Sequence, residues 1–400
     1  MKKGLLLTAM MAVAMTASAQ TNVKVTLLDS LPVSKIQNYA KATNRTAYGY
    51  NDRLYLNDRA AQQLRVFNFA TNEEIGQVDI GANQPTGYDE AGNAIIANWG
   101  WASSNAAGKK TTFTLISADL KKKVTTNEVQ CVQGRADFLG RAKGNVFGTN
   151  GAVLLANGGA QDFENTGIVA YTFTGGDSPT VEYGNVWDPD NNIGAGTWDT
   201  YNYYKDADNT DHYVYVNRQK PLTDFTFDEG QVSTEQLYSP EDRTPNKGVC
   251  NGGDIFVLGS RKFIVYGNNS TPTYLDGFTI AEIGSDNTLT TVYTKAANTS
   301  FARELTTQGN WLNVEVLNDK QAKLYQYFVG GYAAEYGIAI DGADTPVLTG
   351  VKGIENTAAK AVSTMYYTPA GVANRTAVKG LNIVVTKYAD GTQKVVKVIK

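Results

Sequence analysis

Short apolar strands joined by polar turns recur along this chain, with corresponding segments beginning near residues 53, 93, 152, 212, 254 and 312. The clearest copy runs from Thr46 to Ile80, TAYGYNDRLYLNDRAAQQLRVFNFATNEEIGQVDI. It reads as strands at Arg53 to Asn57, Gln63 to Asn68 and Glu74 to Ile80, with Leu54 and Leu56 on one face and Leu64 and Val66 on one face, the alternation of a half-buried antiparallel strand. Asn57-Asp58-Arg59 and Ala70-Thr71-Asn72 supply the hairpin turns. A meander this small cannot bury its apolar face alone, so it needs copies of itself. Five further copies at roughly 40 to 60 residue spacing match the blades of a β-propeller.

The fold class expected is therefore all-β: a propeller of six blades, with a seventh if Val23 to Leu28 and a weakly patterned stretch form another. Val23 to Leu28 is otherwise placed to pair with the last blade and close the ring, which removes exposed sheet edges. A pair of β-sandwiches is the competing arrangement, since it too shows short strands and regular turns. Ser34 to Lys41 and Ala302 to Thr306 offer a helical turn or two at most.

Composition agrees with strands: 23 tyrosines and 39 glycines against 10 prolines favour sheet joined by glycine-containing turns. A formal net charge of -3 provides no basic field, which argues against a nucleic-acid partner. The first residues, Met1-Lys2-Lys3, an apolar run from Leu5 to Ala14 and Ala17-Ser18-Ala19, make a secretory signal peptide over residues 1–19, too short to span a membrane. Export to the periplasm, the outer-membrane surface or the medium follows. Cys131 and Cys250 are far apart and outside any C-x-x-C spacing, so an oxidising compartment leaves both a disulfide and two free thiols open.

The propeller domain is expected over residues 20–349. Residues 350–364 turn to small and polar side chains and read as a linker. Residues 365–400 form a separate β-rich tail, with MYYTPAGV, KGLNIVVTKY and QKVVKVIK as strands and Asp390-Gly391 as a hairpin turn. These elements resemble the C-terminal tails of secreted and surface proteins of the Bacteroidetes, related in pattern to the sorting domains of the Por (type IX) secretion route. Gly371, Gly380, Lys394, Lys397 and Lys400 occupy the matching places, whereas Leu381-Asn382 stands where an aromatic strand often follows. The body is similar, more loosely, to secreted β-propeller proteins of the same bacteria. The resemblance implies an exported protein and no particular reaction.

Chemistry-bearing motifs are sparse. His212 is the only histidine, which leaves little for a histidine triad or a multi-histidine metal site and favours a structural role. Gly108-Lys109-Lys110-Thr111 looks like the end of a phosphate loop but lacks the earlier glycine, since Ser103 stands there. Two stretches read as aromatic loops stand out instead: Trp99 and Trp101 in NWGWASSNAAG, and Trp187, Trp198, Tyr201, Tyr203 and Tyr204 in WDPDNNIGAGTWDTYNYYKDADNTDH. Aromatic faces beside carboxylates and amides can stack on a sugar ring and take its hydroxyls, or can simply fill space between blades. Asp188, Asp190, Asn192 and Asp199 have the spacing of a calcium loop with the turn glycine one place late, at Gly194. Asp206, Asp208 and Asp211 form a weaker set of the same kind. The sequence thus points to an exported binding or interaction module for a glycan or an envelope protein. A glycan hydrolase or lyase with paired carboxylates, and a scaffold without a small ligand, are the other classes it allows.

Overall fold

The computed structural model describes residues 22–31, 46–81, 85–98, 109–131, 138–157, 167–186, 200–216, 222–238, 252–270, 273–297, 310–329, 331–348, 361–368, 371–388 and 393–399. The chain divides into two compact units, Met1–Thr349 and Gly350–Lys400. Among the described residues no helix is long and apolar enough to cross a membrane. The signal peptide, Ser34 to Lys41, Ala302 to Thr306 and Cys250 lie outside the described residues, as does the side chain of Cys131.

The first unit is a six-bladed propeller among the described residues. The first blade is the meander Ala47–Tyr50, Arg53–Asp58, Gln63–Asn68, Glu73–Asp79, in that spatial order. The second uses Thr86–Asp89, Ala94–Ala97, Phe113–Ile116 and Lys123–Thr125, with a small ribbon of Lys109–Thr111 and Val129–Cys131 beside it. The third is Phe138–Gly144, Ala152–Asn157, Gly167–Phe173 and Thr180–Val186. The fourth is Thr200–Lys205, Asp211–Val216, Leu222–Asp228 and Gln231–Tyr238, and the fifth Gly253–Leu258, Arg261–Ser270, Thr273–Ile283 and Leu289–Lys295.

The sixth blade is closed by the N-terminal strand. Asn310–Asn318, Gln321–Phe328 and Ala333–Ile340 follow in sequence, and Val23–Leu31 adds as the fourth strand, with Val23 opposite Ile340 and Leu31 opposite Ala333. The closure anticipated from the position of Val23 to Leu28 is therefore present, and the strand is used there rather than in a seventh blade.

Two features of the repeat differ from its reading in the sequence. The segments near 53, 93, 152 and 212 are the second strands of their blades, whereas those near 254 and 312 are first strands. The innermost strands of the first four blades, AYGY, TGYD, FLGRAKG and TYNYYK, escape a period-two search because they are short, glycine-bearing or polar and covered on both faces. Nor is Arg53–Asp58 half-buried: all six residues are buried, because neighbouring blades cover both faces of each sheet. Its polar side chains find partners across that interface, Asn57 donating to Thr86 Oγ1 at 2.8 Å and Arg53 to the Ala118 carbonyl at 3.3 Å.

The core follows this geometry, lying between blades rather than in one central mass. Tyr171, Phe173 and Phe113 pack the second blade on the third, and Tyr203, Tyr215 and Phe225 join the third blade to the fourth. Tyr48 stacks between Tyr55 and Tyr88, with centroids 4.7 and 4.4 Å away, and couples the first blade to the second. Gly49 is required here: a β-carbon would stand 1.9 Å from the Tyr325 ring of the sixth blade.

The second unit is a four-stranded sheet in the order Ala373–Asn374, Ala361–Tyr367, Leu381–Tyr388, Gln393–Ile399. Its first strand takes in the last four residues of the stretch read as linker, because Val362 and Thr364 are β-branched and suit a strand paired with Leu381–Tyr388. Asp390-Gly391 lies outside the described residues, but the strands either side pair Lys387 with Gln393, as a hairpin requires. Asn382 is fully buried and ties the preceding loop, accepting from Val378 N and donating to the Val378 and Gly380 carbonyls. That local work accounts for asparagine where an aromatic residue was anticipated.

Candidate functional site: the channel mouth

In a propeller the innermost strand of each blade borders the axis, and here the innermost strand of the third blade, Phe138–Gly144, also pairs in parallel with those of the second and fourth, Thr86–Asp89 and Thr200–Lys205. Here that ring is stitched by side chains in one layer. Asn202 accepts from Arg141 N at 3.0 Å and donates to the Gly253 carbonyl at 2.9 Å, linking the third, fourth and fifth blades. Asn313 holds Gly49 on both its N–H and its carbonyl, at 2.8 and 2.9 Å, linking the sixth blade to the first. Gly140, with φ +91°, lets Phe138–Gly144 approach Thr200–Lys205 so closely that a β-carbon would lie 2.0 Å from the Tyr201 carbonyl oxygen.

Arg141 and Asp254 form the centre of the layer. The guanidinium makes a bidentate pair with Asp254 at 2.9 and 3.0 Å, and donates to the carbonyls of Tyr203 at 2.6 Å and Val314 at 2.7 Å. Asp254 accepts in addition from Val314 N and Ile255 N, both at 3.0 Å. Burial works against the charge on Arg141, but Asp254 and Tyr88 together outweigh it and push the guanidinium pKa up. Both ions are satisfied within the protein, so this pair braces the channel rather than waiting for a substrate.

Above this layer the channel opens into a cavity of about 230 Å³ to which all six blades contribute. Its walls include Tyr50, Tyr88, Glu90, Arg141, Tyr203, Lys205, Phe256, Val257, Asn313 and Glu315. Four carboxylates come near it, and they differ in what they already bind. Asp254 is paired as above. Asp89 accepts from Ala91 N, Asn93 N, Asn93 Nδ2 and Val146 N, which closes a tight turn and leaves it no spare capacity. Glu90 is exposed and accepts from Gly144 N at 2.6 Å.

Glu315 is the exception. Its Oε2 accepts from the Tyr325 hydroxyl at 2.7 Å and from Asn51 N at 2.9 Å, and among the described residues it makes no ion pair. Burial raises its carboxyl pKa above the ordinary value, and those two hydrogen bonds only partly offset the rise. Tyr50, half-buried on the same wall, has its phenol raised by burial and then by the Glu315 and Asp89 charges. The tyrosine ring packs flat on Gly92, where a β-carbon would meet it at 2.1 Å.

Of the residues the sequence singled out, Tyr203 and Tyr204 reach the cavity wall but belong to an innermost strand, not a loop. Their hydroxyls are committed, Tyr203 to Asp211 at 2.7 Å and Tyr204 to Asp224 at 2.8 Å. Tyr201 is buried against Tyr215 and Phe225 between blades and does not line this cavity. Trp99, Trp101, Trp187 and Trp198 lie outside the described residues, as do Asp188, Asp190, Asn192 and Asp199. Among the described residues no group of three or more His, Cys, Asp or Glu is placed to hold a metal ion. Asp206 instead caps the turn through Asp208 N and Thr210 N, and Asp211 pairs with Lys143 and Lys205.

His212 is buried and bridges two carboxylates, Nδ1 to Asp224 at 3.0 Å and Nε2 to Asp206 at 3.2 Å, while its ring stacks on Tyr204. Burial would raise the Asp224 carboxyl, but His212 and Lys262 outweigh it and hold it below the ordinary range. His212 thus braces the fourth blade internally, and Lys262 of the fifth blade ties onto the same Asp224. Glu315 and Arg141 were not read from the sequence as site residues. A faint signal was present for Glu315, the single charge in the run Leu312 to Leu317, between Val314 and Val316.

No family model and no curated protein matches the chain. Several solved structures are similar at low identity, and one of them is a β-propeller domain. Kuenenia stuttgartiensis hydrazine synthase is 9% identical, with a TM-score of 0.40 over 90% of this chain and 96% of that one. The β-propeller domain of Swd1 from Myceliophteria thermophila is 7% identical, with a TM-score of 0.39 over 90% and 97%. A calcium-binding protein, regucalcin from Agrobacterium tumefaciens, is 10% identical, with a TM-score of 0.42 over 80% and 97%. The all-β propeller assignment rests on the strand pairings themselves, and likeness at this level carries nothing about ligand or chemistry.

Proposed function

We propose that this chain is an exported binding module that takes one sugar unit of a glycan into the mouth of its propeller channel. The observation that carries the reading is the cavity of about 230 Å³ where the inner strands of six blades converge, with the Tyr50 ring beside Glu90, Lys205 and Glu315. An aromatic face among a few polar groups suits the C–H face and hydroxyls of a sugar. The volume lies below the ~300–1,000 Å³ usual for drug-sized ligands, which favours a single ring over a longer segment. A recess of this size is also poorly matched to the flat surface of an envelope protein, which takes second place. Export rests on the basic, apolar and small-residue order of residues 1–19 and on the resemblance of the tail to sorting domains. Calcium at Asp188, Asp190, Asn192 and Asp199 remains a separate proposal, tested by melting the protein with and without millimolar calcium; an unchanged transition removes it.

Glycan-array binding by the full chain, without turnover, is the expected result. Tyr50→Ala is expected to weaken it by about tenfold or more, the order of a lost aromatic contact. Silence of the array, or binding indifferent to Tyr50→Ala, overturns the reading. One observation favours a second: Glu315 has the raised pKa of a general acid, and Glu90 is the other carboxylate free to act beside it. Release of reducing ends from a bound glycan, lost in Glu315→Gln, would make the protein a hydrolase.

A further inference from the structure

The charges around the channel mouth do not balance evenly, and Glu315 is the partly buried carboxylate there that keeps one oxygen without a donor among the described residues. Arg141 is neutralised by Asp254. Lys143 and Lys205 both pair with Asp211. The carboxylate of Glu315 has only neutral donors, the Tyr325 hydroxyl and Asn51 N, both on Oε2. Among the described residues nothing donates to Oε1. A partly buried carboxylate without a cation is costly to keep ionised, and the cost falls when a cation or a proton arrives. Tyr50, on the same wall, offers a ring face of the sort that attracts ammonium groups.

We infer that the occupant of the channel mouth presents an amine to Glu315, so that, given the glycan reading above, the sugar recognised is an amino sugar rather than a neutral or acidic one. The ammonium donates to the free Oε1 and lies beside the Tyr50 ring. Acidic sugars are disfavoured, because Glu90 and Glu315 both face this space, Arg141 is paired one for one with Asp254, and Lys205, which shares Asp211 with Lys143, is a single cation set against the two carboxylates. N-acetylation removes the charge and with it the ion pair, leaving a hydrogen bond at most.

Calorimetric titration of the full chain at pH 7 with D-glucosamine, N-acetyl-D-glucosamine, D-glucose and D-glucuronate tests this, with cyclohexylammonium as an amine that is not a sugar. Glucosamine is expected to bind about tenfold tighter than its N-acetyl form or glucose, the scale of one charge-assisted hydrogen bond, with glucuronate weakest. Glu315→Gln keeps an acceptor for Tyr325 and Asn51, so it is expected to melt as the native chain does while losing the preference for glucosamine. Equal binding of glucosamine and glucose, tighter binding of glucuronate, or a preference that survives Glu315→Gln overturns the inference and leaves the glycan reading intact. If every sugar is silent while cyclohexylammonium binds and depends on Glu315, the glycan reading fails and the amine site stands. Silence of all five probes overturns both.

Discussion

Charged residues inside this propeller are placed where blades meet, and their energetics set two outcomes. Asp254→Asn leaves the buried Arg141 guanidinium without its counter-ion, so a loss of about 3–5 kcal/mol is expected in urea denaturation. Arg141→Met combined with Asp254→Asn is expected to cost less than the two single losses added, because the second change removes the charge the first left stranded. A second buried set acts through pH. Lys323, on the strand beside Glu335, is shared between Asp52 and Glu335, all three at 4% exposure or less. Asp29 lies opposite Glu335 across the closing strand, where the pairing register slips. Burial, offset in part by Lys323 and reinforced by Glu315 and Asp29, lifts the Glu335 pKa from 4.5 to about 7. Because folding raises this pKa, the folded state holds the proton more tightly. Its contribution is full below about 4.5 and is lost as pH rises towards 7. Stability measured by urea titration is expected to fall over that range by up to about 3 kcal/mol, and Glu335→Gln to flatten the fall. An equal slope in the variant would count against the assignment.

At the scale of elements, the second and third strands of the blades were legible because their apolar residues recur every second place, as Leu54 with Leu56 and Leu64 with Val66 do. The innermost strands were not. Thr86–Asp89 and Thr200–Lys205 carry Thr, Tyr, Asn and Gly with neighbours on both faces, so burial leaves no alternation to find. That is why Tyr201, Tyr203 and Tyr204 read as loop aromatics although they are strand residues. The cavity was still less visible, since Glu315, Tyr50 and Arg141 come from three blades and only the ring brings them together. The strand Val23–Leu31 invites a direct test. Its removal bares the edge of Ala333–Ile340, which is buried along its length. A lower urea midpoint and self-association by light scattering are expected, because a bare edge templates pairing with another chain.

For the whole molecule, six-fold repetition distributes stability among inter-blade cores that involve every blade. The propeller strands and the strand that closes them all lie before Thr349, so a fragment ending there is expected to keep the melting temperature of the propeller transition in the full chain, by calorimetry. A shift of more than a few degrees would show that Gly350–Lys400 contributes to that transition. The closing strand also imposes an order in time. Val23 leaves the ribosome well before Ile340 and must stay unpaired until Ile340 has followed it, while the five blades between them each complete from strands nearer in sequence. Its final pairing closes the largest loop in the domain, so it carries the chain's longest wait and its greatest exposure to wrong partners. A chain that begins folding from the middle and is fastened last by its own beginning has, in effect, a built-in delay before it becomes a finished ring.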